Sequence, residues 1–314
     1  LSASRPRIVT ERLGLVLKPA SWPKLVVPAL LGHALGVDAT GSLSLAALAV
    51  GLVLVALDIV FVVCLNDWAD QEIDALKRRM FPESSLKTIP DGIASSRTLL
   101  LAGLFAGALA LLVALVAAPL LDRPHLFILT LGALGVFWLY SLPPLRLNYR
   151  GGGELLEALG VGVVLPLLSA YLQSGVLVPP SATLLLGWTC LSLGSAIASG
   201  LSDERSDRAG GKHTVVTMLG NETARTLVQG LTLLGPLLWV GAAFLHEGGP
   251  PRMIGLLAAA VAFDEWWTLR KRSGEAVTDA FGALQHYKAA LHALIWRAGL
   301  AWAVGLTVAP LLGL

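Results

Sequence analysis

GLVLVALDIVFVVCLNDWADQEIDALKRR, residues 51–79, opens as an apolar stretch broken only by Asp58 and closes where acids and bases crowd together. Extended back to about residue 43, the apolar part is long enough for a helix to cross a hydrocarbon layer of roughly 30 Å, which takes about 20 residues. At about 100° per residue, Asn66, Asp67, Asp70 and Asp74 fall within an arc of about 100° on one helical face. A membrane-crossing helix thus delivers three or more carboxylates to one membrane surface.

The rest of the chain repeats this pattern. Of 314 residues, 55% are hydrophobic and 14% charged, and the mean hydropathy is +0.72, which leaves too little polar surface for an ordinary soluble domain. Nine apolar stretches of spanning length lie near 19–37, 43–66, 97–120, 124–141, 154–173, 181–200, 222–246, 252–270 and 289–312. The N-terminal arm and the loops after the even-numbered spans carry 20 of the 23 Lys and Arg residues, so these segments are expected on the cytoplasmic side and the C-terminus outside. The expectation is all-α: a polytopic membrane bundle of nine transmembrane helices around a central cavity, forming a single domain over 1–314. A net charge of +2, with basic residues placed by membrane orientation, gives no sign of a nucleic-acid partner. Cys64 and Cys190 both fall inside spans and read as packing residues.

A second charged segment, LSDERSDRAGGKHTV at 201–215, follows the sixth span. Asp203 and Asp207, four apart, share a helical face there. By parity the two charged loops lie on the same side of the membrane, as a duplicated helical unit would place them. Like charges this close repel unless a cation neutralises them, and oxygen ligands without a Cys or His cluster suit Mg²⁺. Solvated acidic caps are the bland alternative. Basic neighbours at both clusters (Lys77, Arg78 and Arg79; Lys212) instead fit an anionic ligand bridged by metal, and Mg²⁺ typically combines a few carboxylates with phosphate oxygens.

NDWADQEID at 66–74 resembles the NDxxDxxxD motif, and DERSD at 203–207 the DxxxD motif, of the UbiA superfamily of intramembrane prenyltransferases. YSLPPLRLNYRGGGE at 140–154 and GKHTVVTMLG at 211–220 are similar to that family's segments after the fourth helix and the second motif. The resemblance implies Mg²⁺-dependent transfer of a prenyl chain from a prenyl diphosphate to an aromatic, quinone-precursor-like acceptor, in a cavity facing the lipid bilayer. It implies two Mg²⁺ ions, one held by Asn66, Asp70 and Asp74 and the other by Asp203 and Asp207, with Asp67 in support. Lys87, Arg146 and Lys212 become candidates for the diphosphate. Tyr140 becomes a candidate to face the allylic carbon and stabilise its positive charge through the ring. FPESSLKTIPDG at 81–92 departs from the family's Arg-Pro and PSG segments, and Pro144 stands where some members carry a lysine. Segments similar to the naphthoate branch and to the chlorophyll-synthase branch occur together, which leaves the acceptor open. So does the chemistry: a terpene cyclase would use the same clusters, and a transporter is the reading from a different class. The expected location is a bacterial inner membrane, with the site and the N-terminus cytoplasmic.

Ionisable groups inside spans cost about 2.5–3.5 kcal/mol on insertion scales, so each needs a reason. Asp58 lies eight residues before Asn66, roughly 12 Å deeper at 1.5 Å per residue. Either it lines the cavity and orients the acceptor or takes its proton, or it forms a structural pair with Lys24. His33 reads as a packing or lipid-interface residue, and Asp264 with Arg297 as a structural bridge.

Overall fold

The computed structural model describes residues 13–245 and 250–313. Among these residues every regular element is a helix. In chain order they are α1 (Pro23–Thr40), α2 (Leu45–Ala69), α3 (Gln71–Met80), α4 (Ser96–Leu120), α5 (Leu126–Ser141) and α6 (Gly153–Ser174). Then follow α7 (Leu185–Gly200), α8 (Glu204–Ala209), α9 (Val215–Leu219), α10 (Asn221–Leu245), α11 (Pro250–Ser273) and α12 (Phe281–Leu311).

A long helix stands at each of the nine expected places, but six of the described helices are long and apolar enough to cross a membrane: α2, α4, α6, α7, α10 and α12, with α7 counted from Pro180. Composition and length set the other three, α1, α5 and α11, apart. α1 is 18 residues long and carries Lys24, His33 and Asp38. α5 has 16 residues, about 24 Å of helix, short of a 30 Å layer. α11 holds Arg252, Asp264, Glu265 and a basic last turn. α12 starts eight residues before the expected boundary because its polar first turns are packed: Leu284 and Tyr287 are buried, and Lys288 Nζ donates to Ser199 O and Ser202 Oγ at 3.0 and 2.8 Å.

Two large apolar cores organise the bundle, with a small third core of Ala29, Val55, Ile59 and Leu165 between α1, α2 and α6. One joins α1, α7, α10, α11 and α12 around Trp188, Trp239 and Trp302; the other joins α2, α4, α5 and α6 around Phe61 and Tyr171. α1 and α6 approach closely through Gly32 and Gly36, where an added Cβ would lie 2.2 Å from Pro166 O and 2.6 Å from Gln173 Cβ. Small residues four apart are what lets helix backbones pack this tightly in a bilayer. His33, between those glycines, is buried, with Nδ1 3.2 Å from Gln173 Oε1, which fits its reading as a packing residue.

Candidate active site

The site begins where α2 ends. The chain breaks at Asp70, yet the helical ladder runs on through it: Asp70 N–H donates to Asn66 O at 2.9 Å and Asp74 N–H to Asp70 O at 2.8 Å. The second motif has the same design. α7 ends at Gly200, and Asp207 N–H donates to Asp203 O at 2.8 Å as α8 begins. The short helices α3 and α8 pack against each other, with the Ile73 side chain over Gly210, where a Cβ would sit 2.0 Å from Ile73 Cδ1. Both acidic motifs therefore meet at one end of the bundle.

Lysines stitch the motifs together. Lys77 of the first pairs with Asp203 of the second and donates to Ser202 O at 2.9 Å. Lys212, after the second motif, reaches back to Asp70 Oδ2 at 3.2 Å. Lys87 pairs with Asp74, and Lys18 with Asp67, whose other oxygen accepts from Thr88 Oγ1 at 2.6 Å. Tyr149 donates its hydroxyl to Asp70 Oδ1 at 2.8 Å.

These contacts set unequal charges. Burial pushes Asp203 upward, but Lys77, Lys288 and Lys87 outweigh it and hold the carboxyl down at about 2. Asp207 is pushed up to about 7 by burial, opposed by Lys212 and reinforced by Asp203 and Asp70. Burial, with Asp70 and Asp67 beside it, raises Asp74 against the opposing pull of Lys87. Burial works against the ammonium forms of Lys87 and Lys212, yet the surrounding carboxylates raise both above the usual lysine range. The cluster is rich in anionic oxygen, and Asp67, Asp70, Asp74 and Asp203 are each ion-paired with a lysine.

Next to this end lies a cavity of about 340 Å³ between α1, α2, α5 and α6. Its polar rim holds Lys18, Lys24, Asn66, Asp67, Tyr140 and Glu157; most of the remaining wall is Leu, Ile, Val and Phe. A π turn at Gly160–Val164 shapes one side, and the carbonyls it diverts are taken up by α7: Trp188 Nε1 donates to Val161 O at 3.2 Å. Such π insertions are frequent at functional sites.

Asn66, Asp67, Tyr140 and Asp58 line the cavity. Asp70, Asp74 and Asp203 form the ion-paired cluster with Lys212, Lys87 and Lys77, with Asp207 one turn beyond Asp203; Asp70 and Asp203 each stand four residues past the cavity residues Asn66 and Ser199. Arg146 is engaged elsewhere: it donates to Ala69 O at 2.7 Å, closing α2, and its guanidinium stacks 3.9 Å from the Tyr149 ring. Asp58 does not pair with Lys24, which is bound to Glu157. Arg297 pairs with Glu265 rather than Asp264. Sequence reasoning missed Lys18, Glu157, Tyr149 and Lys288. Glu157 had a usable signal, being an acid inside an apolar stretch.

The residues fit a divalent cation. The donors are Asp and Asn oxygens, the hard ligands that suit Mg²⁺, and a cation among them would offset the burial that disfavours the ionised forms of Asp207 and Asp74. Among the described residues no three acidic, histidine or cysteine side chains converge on a single point. Mg²⁺ does not need that, since it usually takes one or two carboxylates and completes its shell with water and phosphate.

An apolar helical bundle with an oily cavity beside a lysine-neutralised carboxylate end defines an integral membrane protein built to meet a charged group with a greasy tail. The model of the UbiA prenyltransferase family matches residues 25–311, and the chain belongs to that family. It is a prenyltransferase. Similar curated proteins are the chloroplastic chlorophyll synthases of Oryza sativa subsp. japonica, 29% identical over 81% of this chain and 67% of that protein, and of Arabidopsis thaliana, 30% identical over 63% and 50%. The chain thus spans between half and two thirds of the length of these relatives. Similar solved structures include a UbiA homologue from Archaeoglobus fulgidus bound to GPP and Mg²⁺, with TM-score 0.68, 20% identity, and 93% and 99% of the two chains covered. The apo UbiA homologue from Aeropyrum pernix K1 has TM-score 0.65 and 15% identity, with 90% and 97% covered. These two likenesses bear on the fold.

Proposed function

We propose that this chain transfers the prenyl group of a prenyl diphosphate to a tetrapyrrole-type acceptor. The observation that carries the donor half is the pair of lysine bridges, Lys77 to Asp203 and Lys212 to Asp70, which brings both acidic motifs to the mouth of an apolar cavity. A diphosphate arriving there finds ammonium groups to exchange for, and its hydrocarbon tail finds the oily wall. The acceptor rests on the names of the plant relatives and takes the place of the quinone precursor expected from sequence.

In this reading Asn66, Asp70 and Asp74 hold one Mg²⁺ and Asp203 with Asp207 a second. Bound there, Mg²⁺ supplies electrostatic stabilisation of the departing pyrophosphate. Lys77, Lys87 and Lys212 are freed from their acids and bind phosphate oxygens. Arg146 and Tyr149 position Asp70 from behind. Asp67, tied to Lys18 and Thr88, keeps the end of α2 in register with the loop. Tyr140 presents its ring to the allylic carbon, and the apolar wall keeps water away from the cation. The basic loops support nine crossings with this end in the cytoplasm.

Purified protein given geranyl or geranylgeranyl diphosphate, Mg²⁺ and a chlorophyllide-type acceptor should yield the prenylated acceptor, read by mass spectrometry. A cyclic hydrocarbon formed without acceptor points to the cyclase. Prenylation of a naphthoate but not the tetrapyrrole returns the quinone-precursor reading.

A further inference from the structure

Asp58 is left over from this account. It is half-buried on α2, and no hydrogen-bond or ion-pair partner is found for its carboxyl among the described residues. Lys24, the cation expected beside it, is bound to Glu157. Asn66, where the polar rim begins, is eight residues on along the same unbroken helix, roughly 12 Å away at 1.5 Å per residue.

That depth separates Asp58 from the chemistry. The bond that breaks joins the diphosphate to the first carbon of the tail, so the reacting carbon must stay within a few bonds of the phosphate-binding end. A group about 12 Å further in stands beside the tail instead. Asp58 also occupies a boundary: it lines the main cavity and a second, smaller one of about 30 Å³ beyond it. Ala133 and Leu165 share that boundary, and the smaller space carries Thr130 and Ser169 among its apolar residues. A space of that size holds a water molecule where polar partners are present.

We propose that Asp58 determines donor length. Its carboxyl, standing between the main cavity and the smaller, mostly apolar pocket, makes the floor of the tail site. A tail short enough to end before Asp58 lies wholly against apolar wall, whereas a longer one must push hydrocarbon past a carboxyl and into the smaller pocket. The smaller pocket shows where a longer tail would go once the floor is removed. The inference rests on the proposed prenyl diphosphate reading and adds the residue that selects among such donors.

The test is a comparison of kcat/KM for geranyl, farnesyl and geranylgeranyl diphosphates, with pyrophosphate release as readout, in the wild type, Asp58→Ala and Asp58→Asn. Equilibrium binding of the same donors in Ca²⁺ is measured beside it. Asp58→Ala should move the long-to-short ratio toward long donors by about tenfold or more, the range in which pockets discriminate small differences in apolar bulk. Asp58→Asn, which keeps size and polarity, should retain the wild-type order. An unchanged ratio in Asp58→Ala overturns the inference alone. Loss of turnover with every donor in Asp58→Asn, with binding intact, overturns it in favour of proton transfer. A wild type that binds no prenyl diphosphate removes both this inference and the reading on which it rests.

Discussion

The two acidic motifs are built alike and charged differently. Each follows a long apolar helix, and each continues the helical ladder through its acids. In the first motif, each aspartate has a cation of its own: Lys18 for Asp67, Lys212 for Asp70, Lys87 for Asp74. In the second, Asp203 is surrounded by lysines and held at about 2, while Asp207, one turn away and buried, is pushed up to about 7. The same spacing of two aspartates thus gives one permanently ionised group and one poised to respond. The first motif is an ion-paired anchor, its raised Asp74 held by Lys87; the second contains the group that a cation would switch.

The lysine bridges are the point at which this contrast breaks most readily. Lys77→Met removes the principal cation beside Asp203, which should then rise toward the ordinary carboxylate range. Pyrophosphate release should fall by about 100-fold, the scale seen when groups supporting a metal site are lost. Thermal stability should drop by about 1–3 kcal/mol, below the usual cost of breaking a buried pair because Asp203 keeps about a third of its side chain exposed. A variant with wild-type turnover would make this bridge a structural ornament.

The poised acid gives a sign as well as a size. Asp207 must lose its proton to bind a cation, and its value of about 7 places that loss near neutrality. Mg²⁺ affinity should therefore rise with pH and be about tenfold weaker at pH 6 than at pH 8, with proton release on binding, as titration calorimetry in two buffers would show. Asp207→Asn should flatten that dependence, whereas Asp203, already ionised, contributes none of it. For stability the sign is opposite. A carboxyl raised in the folded state favours folding when protonated, and its contribution becomes a penalty as pH rises toward 7 and above.

Smaller effects sharpen the anchor. Tyr149→Phe removes one hydrogen bond to a charged oxygen of Asp70 and should cost about tenfold in Mg²⁺ affinity, corresponding to roughly 1.5 kcal/mol. Gly210→Ala asks the flexible end of Ile73 to move and brings the new Cβ to 3.3 Å from Ser206 O, and should cost about 1 kcal/mol in stability, read as a small fall in melting temperature. A larger loss in Gly210→Ala would mean that contact between α3 and α8 holds the motifs together more than the lysines do.

Much of this was legible in the residue order. The positions of the long helices follow from apolar runs, and both motifs from acids at helical spacing beyond them. What the sequence conceals is partnership over distance. Lys18 meets Asp67 across 49 positions, Lys77 meets Asp203 across 126, and Lys212 meets Asp70 across 142, none of them visible as a local pattern. Arg146, basic and near the site, has one guanidinium nitrogen on a backbone carbonyl at the end of α2, a partner that no local pattern reveals. Asp264 and Glu265 are adjacent, so depth alone selects neither as the partner of Arg297; the helix face does, and it favours Glu265. Length and hydropathy also part company in α1, α5 and α11. Sequence there marks a helix but not how fully its polar residues are sheltered by neighbours.

The central claim is that both motifs act together on one diphosphate, and the most direct measurement is Mg²⁺-dependent pyrophosphate release from a prenyl diphosphate by the wild type, Asp70→Ala and Asp203→Ala. The account predicts release by the wild type and its loss, by at least about 100-fold, in each variant alone. Release persisting at the wild-type rate in either variant, with the protein folded, would contradict it.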